Sequence, residues 1–194
     1  MKVSFIAVLI AAAVIAGCKS SKTVIPDGEV EVKLPCSGPQ FFTDNKNFRA
    51  NAMGQSENEE VAKSKAYVIA RNNLAQSIQT TVKTVTDNYT NSRSMDNKES
   101  LEQKFESLNR EVVDQQIRGV QTLCETITKS TANGQLLYKA YVAIGLASED
   151  LLKSYSDRIS KDDQLKIDYD YEKFKDTFNK EMDKMSTKQP GGGN

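Results

Sequence analysis

Three cysteines, Cys18, Cys36 and Cys124, carry the sharpest chemistry in the sequence. A thiol can be a nucleophile, a metal ligand or half of a disulfide. The 194 residues contain no histidine, so no imidazole is present to activate a nucleophile or complete a metal set. Ser64 beside Lys65, and Lys153 beside Ser154, are the nearest approach to nucleophile–base pairs. Adjacent helix residues point apart, and no glycine-rich elbow presents either serine. Asp162, Asp163, Asp168, Asp170 and Glu172 crowd one segment. A calcium loop needs a turn glycine among its acids, and none is present, so the cluster reads as a solvated loop. The sequence thus predicts no catalytic residue, no metal site, no cofactor and no enzyme. Lysine plus arginine and aspartate plus glutamate each total 26. No basic excess exists to neutralise a phosphate backbone, which argues against a nucleic-acid partner.

Cys18 is set apart by what precedes it. Lys2 gives a positive start, and Phe5 to Gly17 is then free of charge. A helix of that run would span about 20 Å, short of the roughly 30 Å of a bilayer's hydrocarbon core. It reads as a secretory signal. The residues Ile15-Ala16-Gly17-Cys18 resemble a bacterial lipobox. That resemblance implies a lipoprotein signal peptide over 1–17, cleavage before Cys18 and lipidation of its sulfur. Each buried acyl CH₂ contributes about 0.8 kcal/mol, so several chains on one cysteine would hold the protein at a membrane. Lys19 stands where an aspartate often marks inner-membrane retention, which resembles outer-membrane sorting in Gram-negative bacteria. No acidic cluster of the surface-export kind follows Cys18, so a periplasm-facing location is expected.

Cys36 and Cys124 remain. Two thiols in an oxidising compartment often pair. The alternative is two unpaired cysteines, one of them buried. A bridge would staple the start of the body to an interior strand.

The elements that would position these residues follow from pattern. Residues 18–39 hold three of the four prolines and read as a lipidated tether, extended and mostly solvated, with at most a short edge strand at Val30 and Val32. Phe48 to Gln55 reads as a strand. Ser56 and Glu59 have the spacing of a capping box. A long helix to about Tyr89 then carries Ala62, Ala66, Ile69, Ala70, Leu74, Ile78, Val82 and Val85 on one face. The alanines suit a helix lying close on a sheet, near Ala50, Ala52 and Gly54. Leu101, Phe105, Leu108 and Val112 mark a second helix over 98–115. Ile117 to Ser130 and Leu136 to Ala147 read as strands joined at Asn133-Gly134 by a tight turn. Ser148 starts a further helix bearing Leu151, Leu152, Tyr155 and Ile159. The prediction is an α+β body over 40–160: a three-stranded antiparallel sheet packed on a long helix, with added C-terminal helices. A C-terminal amphipathic helix over 161–187 and a disordered tail over 188–194 complete the chain.

The stretch from Phe48 to Ser56, followed by Ala62, Lys65-Ala66, Ala70-Arg71, Leu74-Ala75 and Ile78, resembles the Lpp-twenty family. These are small outer-membrane lipoproteins of Gram-negative bacteria, related to flagellar assembly lipoproteins. Gly119-Val120 in a second strand and Tyr138 to Ala143 in a third extend the likeness to about half the chain. The resemblance implies a strand–helix–hairpin fold similar to dodecin-like folds and no catalytic residues.

Tyr171, Phe174, Phe178, Met182 and Met185 line one face of the last helix. That face either packs on its own domain or forms a partner-binding face for another copy or another envelope protein. The function expected is therefore a non-catalytic, lipid-anchored interaction or scaffolding module. The alternative is a periplasmic carrier of a small apolar ligand held between sheet and helix.

Overall fold

Gln135–Ala147 has apolar side chains on both of its faces, and a strand of that kind needs cover on both sides. In the computed structural model it lies at the centre of a three-stranded antiparallel sheet. The structure describes residues 28, 30, 32–92, 98–132, 134–163, 165 and 169–187. The chain divides into two units, Met1–Val32 and Lys33–Asn194. In the first unit Val30 and Val32 are exposed.

The second unit runs β1 (Asn47–Ser56), α1 (Glu59–Asn91), α2 (Lys98–Ile117), β2 (Gln121–Ala132), β3 (Gln135–Ala147), α3 (Ser148–Ile159) and α4 (Tyr171–Thr187). The sheet order is β1-β3-β2, and both pairings are antiparallel. The fold is α+β, with a three-stranded sheet and these four helices among the described residues, as the sequence pattern predicts. Gly134 takes a positive φ of 78° in the β2–β3 turn, which glycine adopts without the penalty of a Cβ. The register shifts between Thr122 and Cys124, leaving Leu123 as the extra residue of a bulge.

The register sorts the two faces of the sheet. Phe48, Ala50, Ala52 and Gly54 of β1 stand opposite Leu146, Ile144, Val142 and Ala140 of β3, and this set meets α1. A Cβ built on Gly54 would lie 2.3 Å from the Ala62 carbonyl oxygen and 2.5 Å from the Ala66 nitrogen. Only a hydrogen fits there, so β1 and the alanine end of α1 touch backbone to backbone. Farther along, the stripe enlarges through Leu74, Ile78, Val82, Val85 and Tyr89, all buried. There α1 packs on α2 and α4. Across α1, Tyr67 donates to the Glu125 carboxylate at 2.7 Å and Lys63 pairs with it at 3.1 Å, which ties the helix to β2.

Several local expectations change. The N-cap of α1 is Asn58, whose side chain accepts from the Val61 N–H at 3.1 Å; Ser56 instead accepts from Asn58 N–H. Both residue types cap well, and the strand extends through Ser56, which moves the helix start by two. Ile69 is 43% exposed and leaves the core face, because the buried stripe recurs every four residues and drifts away from its side. β2 begins at Gln121, so Gly119 and Val120 lie in the turn before it. The tail over 188–194 and the segment 1–27 lie outside the described residues.

Candidate functional site

The second face of the sheet is built around the thiols. Pro35 and Cys36 form a turn, and Cys36 has a φ of 55°, a conformation costing a residue with a side chain about 1–2 kcal/mol. It is joined to Cys124 on β2, with S–S 2.04 Å and Cα–Cα 5.6 Å. The Cys36 sulfur lies 3.6 Å from the Tyr141 carbonyl oxygen and 3.8 Å from the Thr126 hydroxyl. The bonded sulfur carries no proton, so the first is a contact, and only the threonine could donate in the second. Tyr141 and Ala143 of β3 are buried beneath, with Phe41 packed alongside. This small second core covers the face that α1 leaves open. Residues 33–39 therefore belong to the folded body, and the expected tether boundary at 39 moves back to Val32. The reason is the bridge, which removes Cys36 from solvent and fixes its neighbours.

The chain from Phe42 to Lys46 closes the start of β1. Asp44 accepts from the N–H groups of Lys46 and Asn47, both at 2.8 Å, and pairs with Arg49 at 2.7 Å. Burial alone would raise its pKa; these hydrogen bonds and the guanidinium outweigh it and hold the pKa below the usual carboxylate range. Glu125 is lowered likewise, first by the Tyr67 hydroxyl, against the effect of burial, and then by Lys63. The first set of bonds closes the start of β1, and the second ties α1 to β2.

Of the two alternatives for the aromatic–methionine face of α4, packing on its own domain is the one observed for its central residues. Phe174, Phe178 and Met182 are 0–1% exposed. Phe174 lies in a ring cluster with Tyr89 at 5.5 Å, Tyr169 at 5.7 Å and Phe105 and Tyr155 at 6.3 Å. Phe178 meets Phe48 at 6.4 Å, and Met185 accepts from the Thr81 hydroxyl. The far half of α1 extends past the sheet and needs cover, and α4 supplies it. Tyr171, 38% exposed, and the part-buried Met185 remain accessible.

The other candidates are not brought together. Lys65 donates to the Gln55 carbonyl at 3.3 Å, and Ser154 is engaged by Gln116 at 2.5 Å, so neither serine–lysine pair forms. Asp162 pairs with Lys104 and caps Leu165, and Asp170 caps Lys173; Asp168 lies outside the described residues. Among the described residues no three side chains group as metal ligands. Tyr155 donates to Asn109 between α2 and α3, and burial pushes the tyrosine pKa well up, which keeps it a neutral donor.

The described residues form several surface grooves, two of which adjoin the helix pairs above. One of about 510 Å³ lies between α1 and α2 and has charged walls, with Lys83, Asp87, Glu99 and Glu106 among them. The other, about 730 Å³, lies by α3 and α4 and includes Lys46, Lys153, Tyr171 and Lys175. Sequence reading missed the Thr43–Asp44 closure; its signal is a pair of short polar side chains just ahead of a strand. Comparison with protein-family models, with curated proteins and with solved structures finds no match.

Proposed function

We propose that this chain is an outer-membrane lipoprotein, held by acyl chains on Cys18 and facing the periplasm, whose folded body acts as a non-catalytic interaction or scaffolding module. The observation that carries the reading is Ile15-Ala16-Gly17-Cys18 at the end of an uncharged run. One structural fact supports it. The Cys36–Cys124 disulfide is the kind that persists in an oxidising compartment such as the periplasm. The Lpp-twenty likeness remains part of this proposal; of the residues that extend it, Tyr138 to Ala143 lie in β3, whereas Gly119 and Val120 precede β2.

The carrier reading is less well supported. Backbone contact at Gly54 and the buried stripe fill the layer between α1 and the sheet, where that reading places its ligand.

The test is Cys18→Ser. The expected result is loss of processing at residue 18 and of acyl-dependent membrane binding, with the body's fold unchanged. Normal processing and membrane retention of that variant would overturn the proposal.

A further inference from the structure

Lysines from three separate elements border the groove by α3 and α4. Lys46 lies in the turn before β1, Lys153 on α3 and Lys175 on α4, around about 730 Å³. None of the three pairs with a carboxylate among the described residues. Lys175 is half-buried, and its ammonium stands 5.6 Å from the centre of the Tyr171 ring, whose face attracts it. The walls are tied to one another. Ser148 N–H donates to the Lys46 carbonyl at 2.8 Å, and Asn45 donates to Asp183 of α4 at 3.3 Å. The groove is therefore set by the fold, and its size is that of a small-molecule site.

The rest of the lining narrows the chemistry. Leu152 and Phe178, 5% and 1% exposed, supply an apolar floor. Glu149 and Asp157 stand one turn to either side of Lys153 on α3. A patch for a bare anion would not carry them, because carboxylates repel it. They do suit hydroxyl groups, which donate to them, and Asn179 can donate and accept. Cations for an oxyanion, acceptors for hydroxyls and an apolar floor for a C–H face together fit a sugar with a charged substituent. A second observation points the same way. The Tyr169 hydroxyl is buried and has no hydrogen-bond partner among the described residues. Burial raises its pKa and keeps the proton on it. The groove residue Ser156 opposes that rise, yet the two hydroxyls do not complete a hydrogen bond of normal geometry. When Ser156 turns to accept from Tyr169, its own proton is free for an oxygen in the groove, and both hydroxyls are then satisfied.

We propose that this groove binds a phosphorylated sugar, with the phosphate on Lys46, Lys153 and Lys175 and the hydroxyls on Glu149, Asp157 and Asn179. A phosphate suits three lysines because it offers three terminal oxygens as acceptors. The site belongs to the folded body and does not depend on acylation of Cys18. Free sugar phosphates and phosphorylated glycolipids share this chemistry, and the test separates them.

The test is binding of glucose-1-phosphate to the detergent-solubilised full chain, followed by phosphorus NMR. Saturable binding is expected, about tenfold tighter than for inorganic phosphate, which uses the lysines alone. Lys175→Gln and Lys153→Gln should each weaken it about tenfold, as for loss of a charge-assisted hydrogen bond, and Lys129→Gln on β2 should not. Lys153 is exposed on its helix, so its variant keeps the fold. Asp157→Ala should narrow the preference over inorganic phosphate to about threefold, and Tyr169→Phe should weaken sugar binding about threefold with thermal stability unchanged. Displacement of the sugar by monophosphoryl lipid A in the same micelles would assign the ligand to a lipid headgroup; its failure to displace would assign a free sugar phosphate. No saturable binding, equal binding of inorganic phosphate, or undiminished binding by both lysine variants would overturn the site.

Discussion

At Gly54 a single hydrogen separates two backbones. Gly54→Ala would drive a methyl into the Ala62 carbonyl and the Ala66 nitrogen, and neither is a flexible side-chain end. The expected cost is about 1–3 kcal/mol, as for other overpacked cores, read by chemical denaturation. Asp44 offers a test in pH. Its folded pKa lies below its ordinary value of 3.8, so its contribution is fully present above about pH 4 and is lost as pH falls through the folded value. Asp44→Asn should lower stability at neutral pH and flatten the acid limb of the stability–pH profile. A variant with the same acid limb as the parent would remove Asp44 from the account. Sequence showed the close approach of Gly54, since alanines at 62, 66 and 70 face it. It did not show that Ile69 faces solvent. Ile69 fits a spacing of three and four equally well, and only the four-residue drift of the buried stripe excludes it.

Among the elements, α4 and the Cys36 segment decide how much of the body is held. Phe174→Ala should cost about 3–5 kcal/mol, as for deletion of a buried ring, and should expose α1 near Tyr89 to amide exchange. A surface-like effect below 0.5 kcal/mol would contradict its place in the ring cluster. Breaking the bridge with Cys36→Ser and Cys124→Ser removes a closure of 88 residues, worth about 4–5 kcal/mol in the chain-entropy model. Proteolysis should then cut first between Lys33 and Phe42, whose second core depends on the bridge. Periodicity and the Asn133-Gly134 turn made the element types and the hairpin legible. The strand order was not, because nothing local states which partner β1 takes. The destination of α4 was hidden for the same reason: an amphipathic stripe records that a face is covered, not what covers it.

For the whole molecule, the proposed role rests on where the body is held and what it meets. The sequence argument for the first is the uncharged run from Phe5 that ends at Cys18; no local pattern names a partner. The most direct measurement of the central claim is the mass of the N-terminal peptide from the mature protein. The account requires that peptide to begin at Cys18 and to carry fatty acyl mass on it. A peptide beginning elsewhere, or an unmodified Cys18 thiol on a chain recovered free of membranes, would contradict it.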